Sequence, residues 1–163
     1  MDLPMILLRL IHFTAGAAWV GGAVYFNLLL VPALRSMDGR TAHEVTTRVR
    51  RLMGPVFGAL AALTIGSGGA MIALLQTADL STGWWTSMVI GIATSVLTLA
   101  IAFGPEMRAL RAVDRLRASE GDSRSERDGS TLQGAAERAV LFGRVATAFA
   151  LVSLATMAVA RFV

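Results

Sequence analysis

The chain has 163 residues, 55% hydrophobic and 16% charged, with a mean hydropathy of +0.62 and a net charge of +4. A water-soluble domain carries roughly 25% charged residues, so about a third of a normal soluble surface is missing. Without cysteine there are no disulfides, thiolate zinc sites, iron–sulfur clusters or cysteine nucleophiles, and because all 15 strongly basic residues are Arg, Lys nucleophiles and Schiff bases are excluded too. The pI near 11.2 would suit nucleic acid. These charges sit between long apolar runs, however, where cytoplasmic membrane loops explain them better, so no nucleic-acid partner is expected.

The first apolar run covers residues 5–34 and holds only Arg9, His12 and Asn27 as strongly polar side chains. Ala15-Gly16-Ala17 imitates a signal-peptidase site, but no basic segment precedes the run and the run continues past it. It therefore reads as an uncleaved helix. Three more runs follow at 55–75, 84–104 and 141–162. Each has at least the ~20 residues that a helix needs to cross ~30 Å of hydrocarbon, and none alternates as a barrel strand would. The expected fold is all-α, an integral membrane four-helix bundle forming a single domain.

The connections set the expected direction. Arg35, Arg40, Arg48, Arg50 and Arg51 lie between the first two spans, and Arg108, Arg111, Arg115, Arg117, Arg124, Arg127 and Arg138 between the last two. QTADLSTG, between the second and third, has no Arg. The positive-inside rule puts both long connections in the cytoplasm and both termini outside, with Trp84 and Trp85 in the outer aromatic belt. Ala42, Val45, Val49 and Leu52 recur at helical spacing opposite four Arg, which predicts an amphipathic helix along the inner surface. Met107, Leu110, Val113 and Leu116 extend the third helix past the bilayer. Residues 119–134 (SEGDSRSERDGSTLQG) are polar and Gly/Ser-rich and read as a flexible cytoplasmic linker. No internal repeat is evident in the sequence.

The small residues Gly16, Ala17, Ala18, Gly21 and Gly22 on the first helix face a natural counterpart in Gly54-x-x-x-Gly58 and Gly66 to Gly69 on the second. Among the polar residues His12 is the most informative. It sits about seven residues, or ~10 Å, below the outer end of its helix, where an ionisable group is costly and tends to serve a function. Two readings stand: a ligand, or a neutral His bonded to a neighbouring backbone group, to Thr14, or to a Ser from another helix. Met71, Met88 and Met157 fall within ~6–8 Å of the same outer boundary. One His and three thioethers suit Cu(I), a His/Met pair suits haem iron, and Met is also a common apolar filler. Arg9 and Arg161 either snorkel to the interface or pair with haem propionates. No acidic residue lies inside any span, so no proton or cation relay is offered. No hydrolase, kinase or nucleotide-binding motif is present, and no catalytic residue is assigned.

The first-helix text LRLIHFTAGAAWVGGAVYFNLLLVPAL has a His near its outer start, then Trp19-Val20-Gly21-Gly22, then Pro32 before a basic connection. It resembles the copper-resistance D (CopD-like) membrane family and its small four-helix relatives. LTIGSGGAM, with its Ser67-Gly68 pair, and FGPEMRAL after the third helix resemble later segments of that family. The resemblance implies a bacterial inner-membrane protein tied to copper uptake or homeostasis, with His12 as the carried-over ligand. It also implies a possible place as one module or subunit, alone, as a homo-oligomer or with a membrane-complex partner. The opening is distantly similar to HemJ-type protoporphyrinogen oxidases, which are implicated in holding haem through a first-helix His and a later Lys. With no Lys in the chain that second position has no counterpart. Three expectations follow: a copper-binding or copper-passing protein, a b-type haem protein or electron-transfer subunit with His12 axial, and a non-catalytic accessory subunit.

Overall fold

A computed structural model of the chain describes residues 3–74, 81–119 and 126–162. Every regular element among them is helical. Four helical stretches are long and apolar enough to cross a membrane: Leu3–Arg35, Gly39–Leu74, Thr82–Arg117 and Gly129–Val159. The solvent these surfaces were built for is visible in what they bury. Large apolar side chains point outward, Phe13 at 69% exposure and Phe103 at 67%, whereas the buried set is Ala, a few larger apolar residues and the polar Asn27, Ser67, Thr94, Thr98, Thr147 and Ser153. In water such an apolar exterior would drive association; in lipid it is the solvated face, and small or hydroxyl residues mediate helix contact. The chain divides into two compact units, Met1–Thr86 with Ala160–Val163 and Ser87–Val159.

In the first unit α1 (Leu3–Val24) runs into a widened π-turn, Tyr25–Leu30, and then α2 (Val31–Arg35). Pro32 explains the widening. It has no N–H for the carbonyl of Leu28, and its ring would press on that carbonyl in a regular helix. The chain instead bonds the Val31 N–H to the Phe26 carbonyl five residues back. Asn27 is buried in this turn, where its Nδ2 donates to the Ala23 carbonyl at 3.1 Å. After a tight turn, Asp38 starts α3 (Gly39–Leu74) by accepting from the backbone N–H groups of Arg40 (3.1 Å) and Thr41 (3.0 Å), two of the donors that a helix start leaves unsatisfied. A hydrogen bond with the Thr41 side chain, followed by the backbone bonds from Thr41 and Arg40, holds the exposed Asp38 carboxyl below its usual pKa. α1 packs along α3, burying Ala15, Gly16, Trp19 and Val20 on one side and Ala61 and Ser67 on the other.

Three sequence expectations change here. The amphipathic stretch 40–52 is not a separate surface helix but the first part of α3, which continues through Pro55. Proline is tolerated in apolar helices because neighbouring groups re-satisfy the freed carbonyl. At 36 residues α3 is about 54 Å long at 1.5 Å per residue, far beyond one bilayer core. The expected glycine-to-glycine seam is also narrower. Gly16 and Gly22 do meet α3, but a Cβ at Gly21, Gly54, Gly58, Gly66 or Gly69 would touch nothing within 4 Å. Finally, Ser119 closes a helix and 126–134 are helical, so of the expected linker only 120–125 is left, and these residues lie outside the described ones.

The second unit repeats the plan of the first, a likeness not evident from sequence alone. α4 (Thr82–Ile101), whose first turn is capped by Ser81 Oγ on the Trp84 N–H (3.1 Å), passes into a second π-turn, Ala102–Glu106, around Pro105. α5 (Met107–Ser119) continues it, so the third helix does run on past its apolar span as expected. α6 (Glu126–Val159) returns alongside, and a final 3-10 turn covers Ala160–Phe162. Pro32 follows the first π-turn by two residues, whereas Pro105 lies inside the second. Within this unit α4 and α6 are tied by hydroxyls. Ser153 Oγ donates to the Gly91 carbonyl (2.9 Å) and lies 2.7 Å from Ser95 Oγ, and Thr98 Oγ1 donates to the Ala146 carbonyl (3.4 Å).

Candidate functional site around His12

His12 lies nine residues into the described part of α1, half-buried, on the face that also carries Ala15, Gly16 and Trp19. Opposite it, α3 presents Thr64, Ser67, Gly68 and Met71 at i, i+3, i+4 and i+7, a single stripe of a 3.6-residue helix. His12 Nδ1 is 2.8 Å from the backbone oxygen of Thr64. A carbonyl only accepts, so Nδ1 carries the proton, and in the neutral ring Nε2 is the nitrogen with the lone pair. Ser67 Oγ is 3.4 Å from the same Nδ1 but spends its own proton on the Leu63 carbonyl (2.5 Å) and the Thr64 carbonyl (3.2 Å). Thr14, the other partner considered from sequence, bonds back to Leu10 and Ile11 on its own helix.

Gly68 makes this seat possible. A Cβ there would lie 2.9 Å from His12 Cε1, 3.1 Å from Nδ1 and 3.9 Å from Nε2. The imidazole therefore occupies the volume that any other residue would fill. Two further contacts fix the register: Gly16 against Thr64 and Gly22 against Phe57. Pairing 22 with 57, 16 with 64 and 12 with 68 makes the helices antiparallel, residue for residue. The same register sets Met71 level with Arg9 and Leu8, one turn from His12.

The remaining expected residues divide between the units. Met71 belongs with His12, half-buried on the α3 stripe. Met88 and Met157 belong to the second unit, where Met157 fills the notch at Gly91, with Cγ and Cε 2.9 and 3.1 Å from where a Cβ would be. Arg9 is exposed. Arg161 lies in the final 3-10 turn, with its side chain outside the described residues. Among the described residues no three His, Cys, Asp or Glu side chains come together, so a metal held at His12 would draw its other ligands from thioether sulfur, backbone oxygen or a cofactor.

Sequence reasoning singled out His12 but missed Thr64 and gave Gly68 no role in seating the ring. The available signal was the Thr64-x-x-Ser67-Gly68 spacing, which puts an acceptor and a vacant Cβ position on one face. What remained illegible was the helix register. The class this fold defines is an all-helical protein with four stretches long and apolar enough to cross a membrane, with His12 of the first seated against the second. No protein-family model matches the chain, nor does any curated protein or solved structure.

Proposed function

We propose that the chain is a CopD-like multipass protein of the bacterial inner membrane that binds or passes copper as Cu(I) near the outer face, with His12 Nε2 as the anchoring ligand. The observation that carries this reading is the 2.8 Å bond from His12 Nδ1 to the Thr64 carbonyl. Metal-binding histidines characteristically donate their second ring nitrogen in this way, which fixes the tautomer and strengthens the ligating nitrogen. Met71, one turn along the same stripe, supplies a soft sulfur suited to Cu(I). Met88 and Met157 are the further thioethers in the reading, and Met157 requires its sulfur to serve while the side chain fills the Gly91 notch.

The test is metal content of the detergent-purified chain after exposure to Cu(I). Near-stoichiometric copper is expected, falling to background in His12→Ala and markedly lower in the Met71→Leu, Met88→Leu, Met157→Leu triple variant, with helicity retained in both. Copper unchanged in His12→Ala would overturn the proposal. A second reading, haem b with His12 axial, is favoured by the exposed Arg9 one turn from His12, placed to meet a propionate with Arg161 as the other candidate. Iron in place of copper, with a haem reduced-minus-oxidised spectrum lost in His12→Ala, would select it. Neither metal would leave the accessory-subunit reading. In the proposed topology both termini face the periplasm. Since the chain is free of cysteine, single cysteines at Ser81 and Ser36 report the two sides directly, the first reactive and the second protected toward an impermeant maleimide in whole cells opened only at the outer membrane.

A further inference from the structure

The arginine-rich end of the second unit is built as a two-helix stalk. On α5 Leu110, Val113 and Leu116 are half-buried, as are Asp114 and Arg117, and the exposed residues are Arg108, Arg111 and Arg115. On the paired part of α6 Leu132, Ala135 and Ala136 are half-buried and Ala139 is buried, while Gln133, Glu137 and Arg138 are exposed. α5 and α6 pack on each other, and small Ala side chains on α6 let the helices approach closely. The apolar face of α5 is therefore already covered. A helix that lies in the membrane interface needs that face for lipid, so α5 is not built to lie flat.

Its exposed face is a straight stripe of three guanidinium groups at i, i+3 and i+7, with the half-buried Asp114 at its edge. Arg115 Nε donates to the Arg111 carbonyl (3.3 Å). All three guanidinium groups are exposed and carry one sign of charge, so the stripe is a cation array. Counting from Gly104 at the end of the apolar span, the three Arg stand about 6, 10 and 16 Å along the helix at 1.5 Å per residue. The headgroup layer is only about 5–7 Å deep on each side of the core. Arg108 reaches phosphates; Arg111 and Arg115 stand in water beyond them.

We infer that the Arg108–Arg111–Arg115 stripe is a docking surface for an acidic helical segment of a water-soluble protein, carrying Asp or Glu at i, i+3 or i+4, and i+7. Guanidinium groups pair with carboxylates bidentately, and a helix with that spacing matches the stripe group for group. Lipid headgroups are the competing occupant, and the assay separates the two. The full-length protein is reconstituted in nanodiscs of phosphatidylcholine alone, then in discs containing phosphatidylglycerol. The probe is a fluorescent helical peptide with Glu at i, i+3 and i+7, with a shuffled peptide of equal charge as reference.

Saturable binding in both discs is expected, stronger than for the shuffled peptide. It should weaken about five- to tenfold in Arg111→Gln, Arg115→Gln, from the loss of two exposed pairs, and be unchanged in Arg35→Gln. Equal affinity for both peptides, or no effect of the double variant, would overturn the proposal. Loss of binding on adding phosphatidylglycerol would assign the stripe to lipid. Circular dichroism of the double variant excludes a folding defect, since both side chains are exposed.

Discussion

Gly68 gives the sharpest test of the packing around His12, because two other glycines on the same helix serve as internal references. Gly68→Ala places a methyl 2.9 Å from His12 Cε1 and 3.1 Å from Nδ1, against the 3.4–4 Å of ordinary contact. The ring must retreat by roughly half an ångström or more, which stretches the 2.8 Å bond to Thr64 out of the favourable range. A free side-chain end would yield cheaply, but this ring is anchored. The loss combines a hydrogen bond of about 0.5–1.5 kcal/mol with overpacking strain of about 1–3 kcal/mol. Against it stands the helix-propensity gain of Ala over Gly, about 1 kcal/mol. The net expectation is destabilisation by about 0.5–3.5 kcal/mol. Gly66→Ala and Gly69→Ala, whose methyls meet nothing within 4 Å, keep only the propensity gain and should be neutral or stabilising. The assay is reversible unfolding in mixed micelles, with all three variants under one condition. If Gly68→Ala behaved like its two neighbours, the seating of His12 on α3 would be wrong.

Other outcomes follow from the same contacts. Gly22→Ala directs a methyl to within 2.6 Å of Phe57 Cζ; it should cost about 1–3 kcal/mol and be largely rescued by Phe57→Leu, and a double-mutant cycle without coupling would refute that contact. Ser153→Ala removes the bonds to Gly91 and Ser95 and should cost about 0.6–1.7 kcal/mol, the range for interhelical hydrogen bonds in membranes, measured by the same unfolding assay. Asp38, its pKa lowered by its bonds to Thr41 and Arg40, stabilises the start of α3 fully above the usual carboxylate pKa and loses that contribution as pH falls through the lowered folded value. Amide chemical shifts of Arg40 and Thr41 should report this loss on acidification, and Asp38→Asn should keep the cap while abolishing its pH dependence.

The helical class and the four spans were legible because lipid imposes them: long apolar runs of single character leave no other way to satisfy the backbone. His12 stood out for the same reason, as the rare group that lipid penalises. The ends of the helices were not legible. The charged stretch before Pro55 reads as an independent amphipathic helix, since proline and a change of composition coincide there, yet backbone continuity carries α3 through both. Residues 126–134 read as linker from their Ser, Gly and charge content, but a helix already held by α5 and by its own apolar half extends into them, tertiary support overriding weak propensity. The methionines show a different limit of the sequence. Depth along a helix is set by counting residues, but which side chains meet is set by rotation and pairing, and these put Met71 on the His12 stripe and Met157 on Gly91.

The π-turns at Tyr25–Leu30, two residues ahead of Pro32, and at Ala102–Glu106, around Pro105, have a consequence for how this chain tolerates changes in length. A π-turn holds one residue more than the α-helical turn it replaces, so the helical segments on either side of it stay in phase. Deleting one residue from Tyr25–Leu30 together with Pro32→Ala, which restores the missing N–H, would therefore leave an unbroken α-helix with Leu34 still on its buried side. A regular helix that loses a residue turns everything after it by about 100°, one residue's share of a 3.6-residue turn. At these two sites the loss would be absorbed, and the segment that leads into the arginine-rich end would keep its orientation.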